Sequence, residues 1–251
     1  MTSAWGVISF IDALATKGIW RSHDTNLVLD SFEEVKALAS KLKMEIEKAS
    51  GGDCWERLSP NLATFSDSIA LGIILPPEMY ESQDKEFYDS ARKYLLLRQV
   101  VLFLSKLVGQ AVLGKVPLMY RGCISVGEMA MRGNSYIGEA VDAAGVSFES
   151  CEGAFVFLTN EAANVFTSRH PYLRIAHPAY FVPYEVPLKD GSLLKTLTIN
   201  PLLLLPSSRR EEAIATYIET FQQGADSASE STRRKAVNTI RYLEYLKSWQ
   251  W

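Results

Sequence analysis

The chain opens on a short apolar run, Trp5-Gly-Val-Ile-Ser-Phe-Ile-Asp12, rich in β-branched and aromatic residues and of a length that suits a buried strand. From Asp30 to Ala49 the period changes. Val35, Leu38, Ala39, Leu42 and Ile46 recur every three to four residues among charged ones, which predicts an amphipathic helix capped by Asp30 or Ser31 and ended by Ser50-Gly-Gly-Asp53. Leu62 to Leu75, closed by Pro76-Pro77, reads as one long strand or two short ones with Asp67 in the middle. A long helix is expected from about Asp84 to Leu113, stopped by Gly114 and Pro117. Leu118 to Gly127 is a third strand stretch, Gly138 to Glu149 a helix, Ala154 to Leu158 a strand and Asn160 to Thr167 a short helix. Tyr180 to Val186 and Leu193 to Ile199 flank Asp190-Gly191, a hairpin signal. Two helical patterns close the chain, Arg209 to Gln222 and Thr232 to Lys247, with a polar joint at Gly224 to Ser229. This order predicts an α+β sandwich, helices on a mostly antiparallel sheet. The expected division is a domain over residues 1–205 and a C-terminal helical extension over 206–251 packed upon it. On the tail, Ala213, Ile214, Tyr217, Ile218 and Phe221 share one face, for the core first and a second copy of the chain next.

Composition narrows the function. The 251 residues are 47% apolar and 22% charged, ordinary for a globular enzyme, and 26 basic residues against 29 acidic leave a formal charge of −3. Nucleic-acid binding in bulk is not expected from such a balance. The richest apolar stretch, Tyr94 to Tyr120, is interrupted by Arg98, Lys106 and Lys115, so no membrane span is expected. The N-terminus lacks a basic region and carries Asp12 where a signal's apolar run would lie. Cys54, Cys123 and Cys151 are widely spaced, and the reading is a cytoplasmic protein with free thiols. His23, His170 and His177 show no ligand spacing.

The chemistry-bearing positions are Asp12 and Asp67. Aspartate is disfavoured in strands, and each sits among strong apolar neighbours. A divalent cation shared by both would offset the cost of burying them. Two structural readings stand beside it: Asp12 as a helix cap, and Asp67 in a tight hairpin turn with Ser66 and Ser68. Arg121 likewise has two readings, a phosphate-binding cation or a strand arginine paired with Glu128 or another carboxylate.

Four segments carry a family resemblance. Phe10-Ile-Asp12 resembles the F-x-D signature of class III nucleotide cyclases, and Phe65-Ser-Asp-Ser68 their second metal aspartate. Arg121-Gly-Cys-Ile-Ser-Val-Gly127 resembles the family's R-x-G-I-x-x-G strand, and Gly138-Glu-Ala-Val-Asp142 the G-x-x-V-N segment after it. The likeness covers about residues 5 to 160 and implies a ferredoxin-like βαββαβ core with an added hairpin and C-terminal helices. It further implies that Asp12, Asp67 and the Ala13 carbonyl hold two Mn²⁺ or Mg²⁺ ions on a nucleoside triphosphate. The turn around Thr16-Lys17-Gly18 would meet the phosphates, Lys17 and Gly18 as substrate-binding residues, with Arg121 as substrate-binding and catalytic residue. A homodimer with the site at its interface is implied as well.

The pattern also breaks. The family's base-reading lysine and aspartate fall on Ala63 and Ser135, and its transition-state asparagine and arginine on Asp142 and Val146. Within the superfamily, the chain resembles the bacterial pyrimidine cyclases of the Pycsar anti-phage systems in F-I-D, F-S-D-S, the R-G-x-I-x-x-G run and overall single-domain size. That resemblance implies UTP (or CTP) as substrate, cyclic UMP or cyclic CMP as product, and a separate effector protein that reads it. The alternative is a catalytically inactive cyclase-like domain that senses nucleotides or serves as a scaffold.

Overall fold

The computed structural model describes residues 3–14, 23–49, 58–75, 85–167, 180–225 and 229–249. Fourteen elements follow in order: β1 (Ala4–Leu14), α1 (Thr25–Ala49), β2 (Asn61–Phe65), β3 (Ser68–Ile74), α2 (Lys85–Ala111), β4 (Met119–Arg132), β5 (Ser135–Ile137), α3 (Glu139–Phe148), β6 (Val156–Leu158), α4 (Asn160–Thr167), β7 (Phe181–Pro187), β8 (Leu193–Ile199), α5 (Ser207–Ala225) and α6 (Glu230–Ser248). The sheet runs β2-β3-β1-β4-β6-β8-β7, with β5 folded onto β4. Its first four strands give the ferredoxin-like βαββαβ arrangement, every pair antiparallel. The single parallel pair, β4 with β6, is reached through α3, and the β7–β8 hairpin extends the far edge. The fold class is therefore α+β, as the element order predicts.

Alternation along the strands sends side chains to two apolar layers. Val7, Ile11 and Ala13 of β1 and Tyr120 and Ile124 of β4 face α1, α2 and α4 through Val35, Ala39, Leu97, Leu104 and Ala162. Ile8, Met119 and Cys123 face the other way, onto Ala140 and Ala144 of α3, Tyr217 of α5 and Tyr242 and Leu246 of α6. Asp12 and Arg121 belong to this second face. The tail helices thus pack on the same side of the sheet as the aspartate that ends the first motif. The Tyr242 hydroxyl fixes α6 by donating to the Ile199 carbonyl at 2.6 Å.

One sequence expectation shifts. Helix α1 begins five residues before Asp30, because Asp24 caps it: its Oδ1 accepts from the Asn26 and Leu27 amides at 2.8 and 3.2 Å. Ser31 instead spends its hydroxyl on the Val116 amide, tying α1 to the loop before β4. Asp67 lies in a two-residue turn between β2 and β3, half-exposed, which is the hairpin reading of that position. Tyr88–Ala111 of α2, with five charged residues, is long and apolar enough by length and composition to cross a membrane, and two thirds of its most apolar window, 67%, is buried inside the fold. The proposed phosphate loop (Thr16, Lys17, Gly18), Arg21, Cys54, His170 and His177 lie outside the described residues.

Ser66, the first residue of the β2–β3 turn, takes a left-handed φ of 51°. That conformation penalises a side chain by about 1 kcal/mol. Ser66→Gly is expected to raise stability by about that much in urea denaturation, with the unfolding slope unchanged.

Candidate active site

β1 and β4 pair over eleven registers, and Asp12 stands directly opposite Arg121. The approach of the strands depends on Gly122, where a side chain would collide with the Phe10 carbonyl. Arg121 grips Asp12 with a fork of two bonds, Nε to Oδ1 at 2.9 Å and Nη2 to Oδ2 at 3.1 Å. Both side chains are largely buried, 11% exposed for Arg121 and 19% for Asp12. Burial works against the guanidinium charge, but the bonds and charge of Asp12 prevail and hold its pKa above the ordinary arginine value. Arg121 Nη1 is buried with no hydrogen-bond partner among the described residues.

Asp67 is brought beside this pair by the hairpin. Asp12 pairs with Ser68, and the Ala13 amide donates to the Asp67 carbonyl at 3.1 Å. Tyr120, one residue before Arg121 and 1% exposed, is near both carboxylates; burial first, then Asp67 and Asp12, push its phenol far above the usual range. The structure therefore joins Asp12, Ala13, Asp67 and Arg121 in one place. It also adds Tyr120, whose only sequence signal was its place next to Arg121.

Carboxylates and a main-chain carbonyl are the hard oxygen donors that Mg²⁺ and Mn²⁺ take. Among the described residues no group of three or more His, Cys, Asp or Glu side chains is placed to hold a metal. Two carboxylates with Ala13 suit an ion that draws its other ligands from phosphate and water. The set fits. Both Asp12 oxygens accept from Arg121 and each keeps a further lone pair, so a cation would share them with the arginine or displace it. Of the two readings of Arg121, the carboxylate pair is the one present, with Asp12 rather than Glu128 as partner.

The two positions that the resemblance pairs with base reading, Ala63 and Ser135, lie in the middle of β2 and at the start of β5. Tyr136 reaches between them: its hydroxyl donates to the Asn61 carbonyl at 3.1 Å, and its ring covers Gly72. Burial pushes its pKa up to about 12. The Asn61 side-chain amide donates to the Gly133 carbonyl, closing β2 onto the β4–β5 turn. On α3, Asp142 and Val146 are exposed one turn apart, Val146 at 81%.

Breaking the fork should be costly from one side and cheap from both. Asp12→Asn leaves a largely buried guanidinium without its counter-charge, and should cost about 2–4 kcal/mol in urea denaturation. Adding Arg121→Met should restore most of that loss, whereas additive losses would show that the two are not coupled. The thiols nearby are inert by the same burial. Cys123 is raised well above the ordinary range by burial, and burial pushes Cys151 up to about 11. Alkylation of the native protein at pH 8, mapped by peptide mass, should leave both unmodified.

No family model matches the chain, and no curated protein does. Several solved structures are similar to it. The guanylyl cyclase domain of the RhoGC fusion protein from the aquatic fungus Blastocladiella emersonii is 11% identical, over 79% of this chain and 98% of that one, with a TM-score of 0.49. A bacterial light-regulated adenylyl cyclase is 12% identical over 86% and 98%, with a TM-score of 0.45. A class III adenylyl cyclase-like ATP-binding protein from Pseudomonas aeruginosa is 10% identical over 98% of this chain and 44% of its own, with a TM-score of 0.44.

Proposed function

We propose that this chain is a nucleotide cyclase that converts a pyrimidine nucleoside triphosphate, UTP or CTP, to its 3′,5′-cyclic monophosphate and pyrophosphate. One observation carries the reading. The β2–β3 hairpin sets Asp67 beside Asp12, and Arg121 is already bonded to that site. Two carboxylates for cations and an arginine for phosphate are what an in-line displacement at the α-phosphorus requires. Asp12, Asp67 and the Ala13 carbonyl would hold the two ions, Mn²⁺ or Mg²⁺, which when bound activate the ribose 3′-hydroxyl and neutralise the leaving pyrophosphate. Arg121 exchanges Asp12 for triphosphate oxygens, for which its planar fork is equally suited. Because nucleophile and electrophile belong to one substrate, positioning is the main task of the chain.

Pyrimidine choice is supported by Ala63 and Ser135, which cannot make the long polar contacts to a purine edge, and by Tyr136, whose hydroxyl is spent on the main chain between them. A homodimer is supported by the exposed apolar residues Phe65, Ile137 and Val146, at 84, 68 and 81% exposure, on the hairpin tip, β5 and α3. The product would be a second messenger read by a separate effector in anti-phage defence within the cytoplasm. The exposed face of α3 favours a second reading. With Asp142 and Val146 where the family holds transition-state groups, a nucleotide-sensing domain without turnover would bind metal and nucleotide and release no product.

Incubation with each of the four nucleoside triphosphates and Mn²⁺ separates these readings. The expected product is cyclic UMP or cyclic CMP, and Asp12→Ala or Asp67→Ala should lower its rate at least about a hundredfold. Nucleotide binding with no cyclic product would select the sensing domain, and a purine product would overturn the pyrimidine choice alone.

A further inference from the structure

Asp12 is a carboxylate that a divalent cation would need, and it already carries a cation. Arg121 is held to it by two bonds of 2.9 and 3.1 Å, one on each oxygen. Both side chains are largely withdrawn from water, and their facing positions are set by the registered ladder of β1 and β4. The fork is therefore a fixed feature of the unliganded chain, unlike an exposed pair of two mobile side chains.

Each Asp12 oxygen accepts one bond and keeps a further lone pair, so the geometry leaves a cation a way in. Charge is what opposes it. A guanidinium in hydrogen-bond contact with the carboxylate lies close to any ion bound there, and in so enclosed a place water screens the repulsion poorly. The β2–β3 turn brings Asp67 to Asp12, but two carboxylates and one guanidinium leave a single net negative charge to face a divalent ion. An anion changes that balance. Arg121 Nη1 is buried with no hydrogen-bond partner among the described residues, so the arginine has a donor to spare for a phosphate oxygen. A phosphate that draws the fork from Asp12 takes over the positive charge and leaves the carboxylate's full charge to the cation.

We propose that Arg121 is an inhibitory counter-ion of the metal site: in the unliganded chain it suppresses divalent-cation binding at Asp12, and a bound phosphate group relieves the suppression. The assignment rests on the cyclase reading and adds a regulation of the same site, in which cation occupancy stays low until substrate arrives. Coupling of this kind is reciprocal, the metal raising phosphate affinity by the same factor. Its carrier is one side chain with two alternative anionic partners, an element that both ligands bias in the same direction.

Mn²⁺ binding to the full chain, followed by loss of the free ion's electron paramagnetic resonance signal, tests this without turnover. With no anion present, Arg121→Met should tighten Mn²⁺ binding by about tenfold to a hundredfold. The gain should vanish when Asp12→Asn is added, because the carboxylate on which the arginine acts is then gone. Lys195→Ala, which removes an exposed lysine paired with Glu185, should leave Mn²⁺ affinity unchanged. In wild type, methyl phosphate, a weak chelator, should raise Mn²⁺ affinity by about fivefold or more, and by much less in Arg121→Met. The wild-type titration reads the coupling even if Arg121→Met does not fold. Mn²⁺ affinity in Arg121→Met equal to or below wild type, a gain that persists with Asp12→Asn, or no effect of methyl phosphate on wild type would each overturn the assignment. The cyclase reading is judged separately by cyclic product. Product from a chain whose Mn²⁺ affinity ignores Arg121 removes the counter-ion and keeps the enzyme; coupling without product keeps the counter-ion and selects the sensing domain.

Discussion

An aspartate at a buried strand end is tolerable only when something opposes its charge, and here Arg121 does so from the next strand. The pairing needs the full β1–β4 ladder, because a slip of one residue would turn either side chain to the opposite face of the sheet. It also needs Gly122, the point of closest approach between the strands. Around this fork the rest of the corner is organised: the β2–β3 turn beside Asp12, Tyr120 beneath, and the segment leading into β6 above.

The fork has a double character. As a structural element, it neutralises two charges that burial would otherwise penalise. In the proposed site, it would hold a cation and a carboxylate in contact until a metal and a phosphate compete for them. Arg121 Nη1, buried and without a partner among the described residues, marks the arginine as incompletely satisfied by Asp12 alone. A group with spare donors gains more from a ligand rich in acceptors than one already saturated.

Much of the fold was legible along the chain. The alternating runs at Trp5–Asp12 and Leu118–Gly127 and the three-to-four spacing from Val35 to Ile46 correspond to β1, β4 and α1, because each element buries one face. What misled was local. Asp30 and Ser31 look like caps, but a cap is defined by its bonds to free amides, and Asp24 makes them. Asp67, read either as a strand carboxylate or as a turn residue with Ser66 and Ser68, takes the turn, half-exposed, while Phe65 stands exposed at the hairpin tip.

By itself the sequence singled out the candidate site residues: Asp12 and Asp67 were conspicuous because carboxylates are costly among apolar neighbours, and Arg121 because it stood in a strand. Their order along the chain also implied the α+β core. Tertiary structure alone decided who meets whom. Arg121 chose Asp12 over Glu128 because strand register, not distance along the chain, sets cross-strand partners. Tyr136 came to lie between Ala63 and Ser135 through the folding of β5 onto β4. Helix α6, which carries no motif, is seated beside segment 150–154 by the bonds of Thr239 and Asn238. Long-range contacts of that kind are a property of packing, and no local pattern encodes them.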